Sequence, residues 1–137
     1  MKDTELKRLR DAALYREYIR GLEAGRFASL WEAADYIVRQ PAPQYFISAR
    51  EACRQIGVIR SGRDTRPLHS SSRRRAEHLL ALYRQYVRDH PGCALSRERV
   101  LETLVESPAP EYYIGREAAR AVLRKEIRKR RKKWAEQ

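Results

Sequence analysis

The sequence has little cysteine: its two, Cys53 and Cys93, form no Cys-x-x-Cys pair. Two cysteines cannot build a disulfide framework, so we expect a reducing compartment. Long apolar runs are also absent, because no stretch approaches the roughly 18 residues that a membrane span needs. The N-terminal stretch MKDTELKRLRDAALYREY carries charges throughout, unlike a signal peptide. These absences predict a cytoplasmic protein without a membrane partner.

Motifs that carry catalysis or hold a metal are missing as well. The sequence has no glycine-rich phosphate loop, no nucleophile elbow and no His-Glu-x-x-His helix. The three histidines, His69, His78 and His90, are scattered, and the stretch HPGC that joins His90 to Cys93 lacks the further ligands of a zinc site. A turn is the favoured interpretation of that stretch. We therefore expect a protein that is not an enzyme and that needs no cofactor or metal.

Negative charge is scarce relative to positive charge. The chain has 30 Lys and Arg against 18 Asp and Glu, a formal net charge of +12, and 24 of the basic residues are Arg. The planar donor fork of Arg suits phosphate, and solubility alone needs a smaller excess. We expect a nucleic-acid partner, DNA favoured over RNA, in an architectural or regulatory role. The alternatives are a phage or mobile-element structural protein that docks an acidic partner, and an RNA- or ribosome-associated protein.

An internal repeat organises the chain. LYREYIR (14–20) matches LYRQYVR (82–88), and REACRQI (50–56) matches REAARAV (116–122). Between these blocks, Ser29 to Ile47 aligns without a gap to Ser96 to Ile114. Three matching blocks in one order indicate an internal duplication. The predicted segments are a first three-helix repeat (1–57), a basic linker (58–72), a second three-helix repeat (73–123) and a basic C-terminal helical extension (124–137).

Helical periodicity predicts an all-α fold of about six helices, three in each copy. Capping boxes in SLWE and SARE indicate helix starts at Ser29 and Ser48. Each copy resembles a helix-turn-helix unit, although its elbow is longer than the usual turn of about three or four residues. The predicted helices cover about 3–22, 29–40, 48–56, 72–89, 96–106 and 115–133.

The elbow in each copy is a proline-bracketed phrase, QPAPQYFIS (40–48) and SPAPEYYIG (107–115). Two prolines two residues apart exclude a continuing helix, so the phrase should be a stiff connection between the second and third helices. Its Tyr-aromatic-Ile triplet should be buried, with Tyr45 and Tyr112 as the first candidates for the core. The two triplets could pair across a pseudo-twofold axis as a minimal two-stranded ladder.

The candidate nucleic-acid contacts are the arginines of the third helices, of the linker and of the C-terminal extension. The extension RKEIRKRRKK (124–133) has no counterpart in the first copy, so we expect folding to proceed without it. Trp134 should pack against the domain. The candidate residues are Arg50, Arg54, Arg73, Arg74, Arg75, Arg116, Arg120, Arg124, Lys125, Arg128, Lys129, Arg131, Lys132 and Lys133.

The phrases SPAPEYYIGREAA and QPAPQYFISAREA carry a resemblance to a family. Both are similar to short basic helical hypothetical proteins of Bacteroidetes genomes and their phages. That family has no settled activity, so the resemblance implies a setting and supplies no binding or catalytic residues. The predicted location is the cytoplasm, in association with the nucleoid, or a virion if the chain is phage-derived.

Overall fold

Six α-helices make up the computed structural model, which describes residues 2–62 and 68–135. The all-α prediction is confirmed. The helix α3 continues four residues beyond its predicted end because Val58 and Ile59 remain half-buried on its inner side. Residues 58–60 and 70–72 of the predicted linker are therefore helical, and its centre, 63–67, lies outside the described residues. The helices are α1 (Asp3–Glu23), α2 (Leu30–Ile37), α3 (Ala49–Arg60), α4 (Ser70–Asp89), α5 (Arg97–Leu104) and α6 (Arg116–Ala135).

Side-chain caps fix the starts of α2 and α3. The Ser29 hydroxyl accepts from the Glu32 N–H at 3.1 Å, and the Glu32 carboxylate accepts from the N–H one residue before the cap, at 3.3 Å. The Ser48 hydroxyl likewise accepts from the Glu51 N–H at 3.1 Å. The Ser48 N–H donates instead to Asp3 of α1 at 3.4 Å. The second capping box is thus closed by a distant carboxylate, because Glu51 points along α3.

The two sequence copies exchange their last helix. The helix α6 packs on α1 and α2, whereas α3 packs on α4 and α5. We call α1, α2 and α6 the first lobe, and α3, α4 and α5 the second lobe. Each lobe holds two helices from one copy and the third helix from the other. The segments 1–57 and 73–123 therefore describe the repeat in the sequence, while the lobes are the packing units.

The exchange takes place where the two elbows cross. The N–H of Ala42 donates to the carbonyl of Ala109 at 2.9 Å, and the reverse bond has the same length. These bonds form one isolated antiparallel bridge. The expected ladder of Tyr-aromatic-Ile triplets is wrong, because the pairing falls on the alanine between the prolines. A proline on each side removes the neighbouring N–H donors, so the bridge cannot lengthen.

The triplets meet through their rings instead. Tyr45 stacks on Tyr113 at 5.8 Å between centroids, and Phe46 stacks on Tyr112 at 6.2 Å. Phe46 and Tyr113 occupy equivalent positions and share left-handed backbone, with φ of 53° and 55°. That conformation costs a non-glycine residue about 1–2 kcal/mol. The surrounding packing holds both residues there, since all four rings are buried.

The repeat predicts a core of fourteen residues, seven from each copy, and in the structure these divide into a buried and a half-buried group. Tyr45 and Tyr112 are 4 % and 3 % exposed, which confirms the structural interpretation of the phrase. Also buried as predicted are Leu14, Ile37, Ile47, Val105 and Ile114. The remaining seven are only half-buried, because a three-helix lobe leaves part of each helix at the surface; they are Tyr15, Tyr18, Val38, Leu82, Tyr83, Tyr86 and Leu104.

Replacing Tyr112 tests how much the crossing contributes to stability. We expect Tyr112→Ala to lower the free energy of unfolding by about 3–5 kcal/mol, the range for removing a large buried aromatic side chain. Tyr83→Ala is the matched control, because Tyr83 is only half-buried. Urea denaturation followed by circular dichroism measures both. Equal and small losses of stability would contradict the central role of the crossing.

Candidate nucleic-acid interface

The helix α6 concentrates the positive charge of the protein, with ten basic residues and two glutamates in REAARAVLRKEIRKRRKKWA. One side of the helix is anchored, since Ala119 and Leu123 are fully buried and Glu126 is 8 % exposed. The opposite side faces solvent. From Arg124 onward it carries two adjacent rows of basic residues, and we call these rows the outer face of α6; its members, all exposed, are Arg124, Lys125, Arg128, Lys129 and Lys132.

Two arginines at the start of α6 lie over an aromatic ring of α2. The guanidinium carbons of Arg116 and Arg120 are 4.8 and 4.7 Å from the ring centroid of Trp31. Arg116 also lies 3.8 Å from the Asp35 carboxylate. A guanidinium stacked on a ring is held in place while its N–H donors, at the edge of the plane, can still bind an anion. The contact orders both side chains beside the outer face of α6.

The equivalent surface of the second lobe is acidic. Glu98 occupies the position of Trp31 in the ungapped alignment, and it lines a groove with Arg50 and with Glu102 and Glu106. The Arg54 guanidinium donates to both carboxylate oxygens of Glu51 from its Nε, at 3.1 and 2.9 Å. This pairing raises the pKa of Arg54 and lowers that of Glu51. Arg50 and Arg54 therefore lie beside carboxylates, in a setting unfavourable to phosphate.

The three arginines in the first turns of α4 have partners within the protein. Arg73 lies 3.9 Å from Glu77 in a weak ion pair. Arg74 binds both carboxylate oxygens of Glu111, at 3.1 and 2.6 Å, which raises the pKa of Arg74. Arg75 is half-buried, donates to the Tyr45 carbonyl at 3.5 Å, and has a pKa lowered by burial. None of the three joins the surface of α6, because α4 belongs to the second lobe.

Two residues of the first lobe, Trp31 and Arg130, were not among the candidates predicted from the sequence. Trp31 is not basic, so the charge pattern did not indicate it. Only the exchange of helices brings it to Arg116 and Arg120. Arg130 stacks on Tyr15 of α1, with 4.1 Å between its guanidinium carbon and the ring centroid. In contrast, Trp134 is 77 % exposed, so the expectation that it packs against the domain is wrong. It continues the apolar stripe of α6 beyond the helices that cover the rest of that stripe.

The histidines serve as structural hydrogen-bond partners. His78 bonds the Tyr113 hydroxyl through Nδ1, and His90 bonds the Tyr86 carbonyl at 2.9 Å. Within residues 2–62 and 68–135, no three His, Cys, Asp or Glu side chains are grouped to hold a metal ion. Over the same residues, no helix has the length and apolarity needed to cross a membrane. No family model, curated protein or solved structure matches the chain.

Two truncations separate the anchored part of α6 from its free end. We expect deletion of residues 131–137 to change the free energy of unfolding by less than about 0.5 kcal/mol, because the described side chains there are exposed. Deletion from Arg124 also removes the buried Glu126, the half-buried Ile127 and the stacking of Arg130 on Tyr15. It should lower the melting temperature by several degrees, contrary to the expectation from the sequence. Thermal denaturation measures the melting temperatures of both variants. Equal melting temperatures would contradict the anchoring of α6 between Arg124 and Arg130.

Proposed function

We propose that the chain is a non-enzymatic nucleic-acid-binding protein whose first lobe contacts duplex DNA through α6. The observation that carries the proposal is the outer face of this anchored helix. Its five basic side chains are exposed, and none has a carboxylate of the described residues within 4.0 Å. Positive charge that no internal partner neutralises is available to phosphates.

The spacing of these residues suits a charged polymer. Arg124, Arg128 and Lys132 form one row along α6, and Lys125 and Lys129 form the next. Successive residues in a row are about 6 Å apart along the helix axis. Duplex DNA carries one negative charge per about 1.7 Å of its axis, so phosphates are within reach of every position in both rows.

The length and regularity of α6 favour DNA over RNA. A helix of this kind fits the major groove of B-form DNA, whereas the major groove of A-form RNA is too narrow for side chains to read. From Arg124 to Lys133 the exposed side chains are all Arg and Lys, which supports contacts to the backbone over contacts to base edges. An architectural or regulatory role with little sequence preference agrees best with this composition.

An acidic protein partner is the second candidate, and one observation favours it. Trp134 at the end of α6 is 77 % exposed and stands next to the basic residues Lys132 and Lys133. Tryptophan is enriched at protein interfaces relative to the rest of the surface. A phage or mobile-element protein that docks such a partner would bind with defined stoichiometry and a shallow salt dependence, which the experiment below distinguishes from DNA binding.

Neutralising one row of α6 tests the proposal. We expect Arg124→Gln, Arg128→Gln and Lys132→Gln together to weaken binding to a DNA duplex. The slope of log affinity against log salt should become shallower by about 2–3, because each phosphate that the protein neutralises contributes about 0.9 to that slope. The matched control removes the same charge from the second lobe, through Arg60→Gln, Arg84→Gln and Arg88→Gln. Fluorescence anisotropy at several salt concentrations measures both. An equal effect of the two triple variants would contradict a specific role for α6.

The repeat supplies a second matched comparison, between equivalent arginines of the two lobes. We expect Arg116→Ala with Arg120→Ala to weaken DNA binding, because both guanidinium groups adjoin the outer face of α6. Removing their stacking on Trp31 should lower the free energy of unfolding by only about 1–2 kcal/mol. The control, Arg50→Ala with Arg54→Ala, should leave binding unchanged since those residues lie among glutamates. Weaker binding by the control pair alone would move the interface to the second lobe.

A further inference from the structure

Trp134 gives the end of α6 an apolar side chain that the described part of the chain leaves largely uncovered. At 77 % it has the largest exposed fraction among the exposed large hydrophobic side chains of the described residues. By the 3.6-residue period of the helix it lies on the side of α6 opposite to the outer face, and Arg131 and Lys133 flank it. Covering an aromatic side chain of this size removes about 150–250 Å² from water, so this position favours an interface.

A groove of about 920 Å³ lies between the start of α1, the first elbow, the start of α3, and α5. Its volume is within the range of sites that hold a small molecule, about 300–1,000 Å³, so it has room for an indole ring. Apolar residues form its floor, and of these Ala49 is half-buried and the others are buried. They are Leu6, Ile47, Ala49 and Val105.

Carboxylates outnumber basic side chains in the lining of this groove, which we call the acidic groove. Glu102 lies 3.7 Å from Arg99 in a weak ion pair, and no basic side chain of the described residues lies within 4.0 Å of Glu98 or Glu106. The indole N–H of a covered tryptophan needs an acceptor, and carboxylates can supply one. The four acidic and two basic residues of the lining are Asp3, Glu98, Glu102, Glu106, Lys2 and Arg50.

We propose that the acidic groove binds the end of α6 from a second copy of the chain. Trp134 of that copy enters the groove, and its neighbours Arg131 and Lys133 lie beside the carboxylates. Charge complementarity carries this choice of partner, because the end of α6 is basic and the groove has an excess of acidic residues. A contact within one chain is ruled out, since Trp134 is 77 % exposed in its own chain.

The two surfaces of this contact differ, so the contact does not close on itself and can add further copies head to tail. The outer face of α6 stays open, because Trp134 lies on the opposite side of the helix. The inference therefore does not depend on DNA binding. The net charge of +12 opposes the approach of two copies, but at about 0.15 M salt charges more than about 8 Å apart are largely screened. We therefore expect a weak contact that is seen at that ionic strength.

Sedimentation velocity of the full chain at several protein concentrations in about 0.15 M salt tests the proposal. The sedimentation coefficient should rise with concentration. Trp134→Ser should raise the dissociation constant for self-association by about tenfold or more, as expected when an interface loses a central tryptophan. Glu98→Gln with Glu102→Gln should act in the same way. The control, Glu77→Gln with Glu117→Gln, removes two exposed carboxylates outside the groove and should leave self-association unchanged.

A mixture of the two defective variants gives the sharper result. The Trp134 variant keeps an intact groove, and the variant of Glu98 and Glu102 keeps an intact end of α6. Each should therefore stay monomeric alone, and together they should form a one-to-one complex. A mixture that stays monomeric, or an unaltered chain whose sedimentation coefficient is the same at every concentration, would overturn the proposal. Self-association that survives in the carboxylate variant alone would mean that Trp134 binds elsewhere, and would overturn the groove as its site.

The same variants keep this proposal separate from DNA binding. The triple glutamine variant of α6 should self-associate as the unaltered chain does, because its three substitutions lie on the outer face. Trp134→Ser should still bind a DNA duplex. Loss of self-association in the triple variant would contradict the separation of the two surfaces, and therefore the proposed contact.

Discussion

The pair of hydrogen bonds between Ala42 and Ala109 decides where every helix after the elbows must go. Each alanine stands between two prolines, so the two chains can join at this point but cannot continue as a ladder. The rings that follow stack across the crossing, Tyr45 on Tyr113 and Phe46 on Tyr112. Each elbow therefore leaves the crossing towards the opposite lobe, which places α3 on α4 and α5, and α6 on α1 and α2.

The surroundings of each third helix follow from this exchange. Had each copy packed its own helices, Trp31 would stand beside Arg50 and Arg54, and Glu98 beside Arg116 and Arg120. The exchange instead puts the tryptophan with the more basic third helix, and the glutamate with the less basic one. Glu98 is thereby kept away from α6. The first lobe therefore differs from the second in having a tryptophan beside its third helix, and the proposed DNA contact needs only the first lobe.

Local signals in the sequence predicted the helices, the serine caps and the burial of Tyr45 and Tyr112, because each depends on residues a few positions apart. The exchange of helices was not predictable in this way. The periodicity of α3 and α6 is the same whichever lobe receives them, and the crossing that directs them depends on residues 67 apart. The same limit applies to the candidate site, because part of it also depends on contacts between residues distant in the sequence. The arginines of α6 were predicted from their charge, while the contact of Arg116 and Arg120 with Trp31 forms only once the helices have been exchanged.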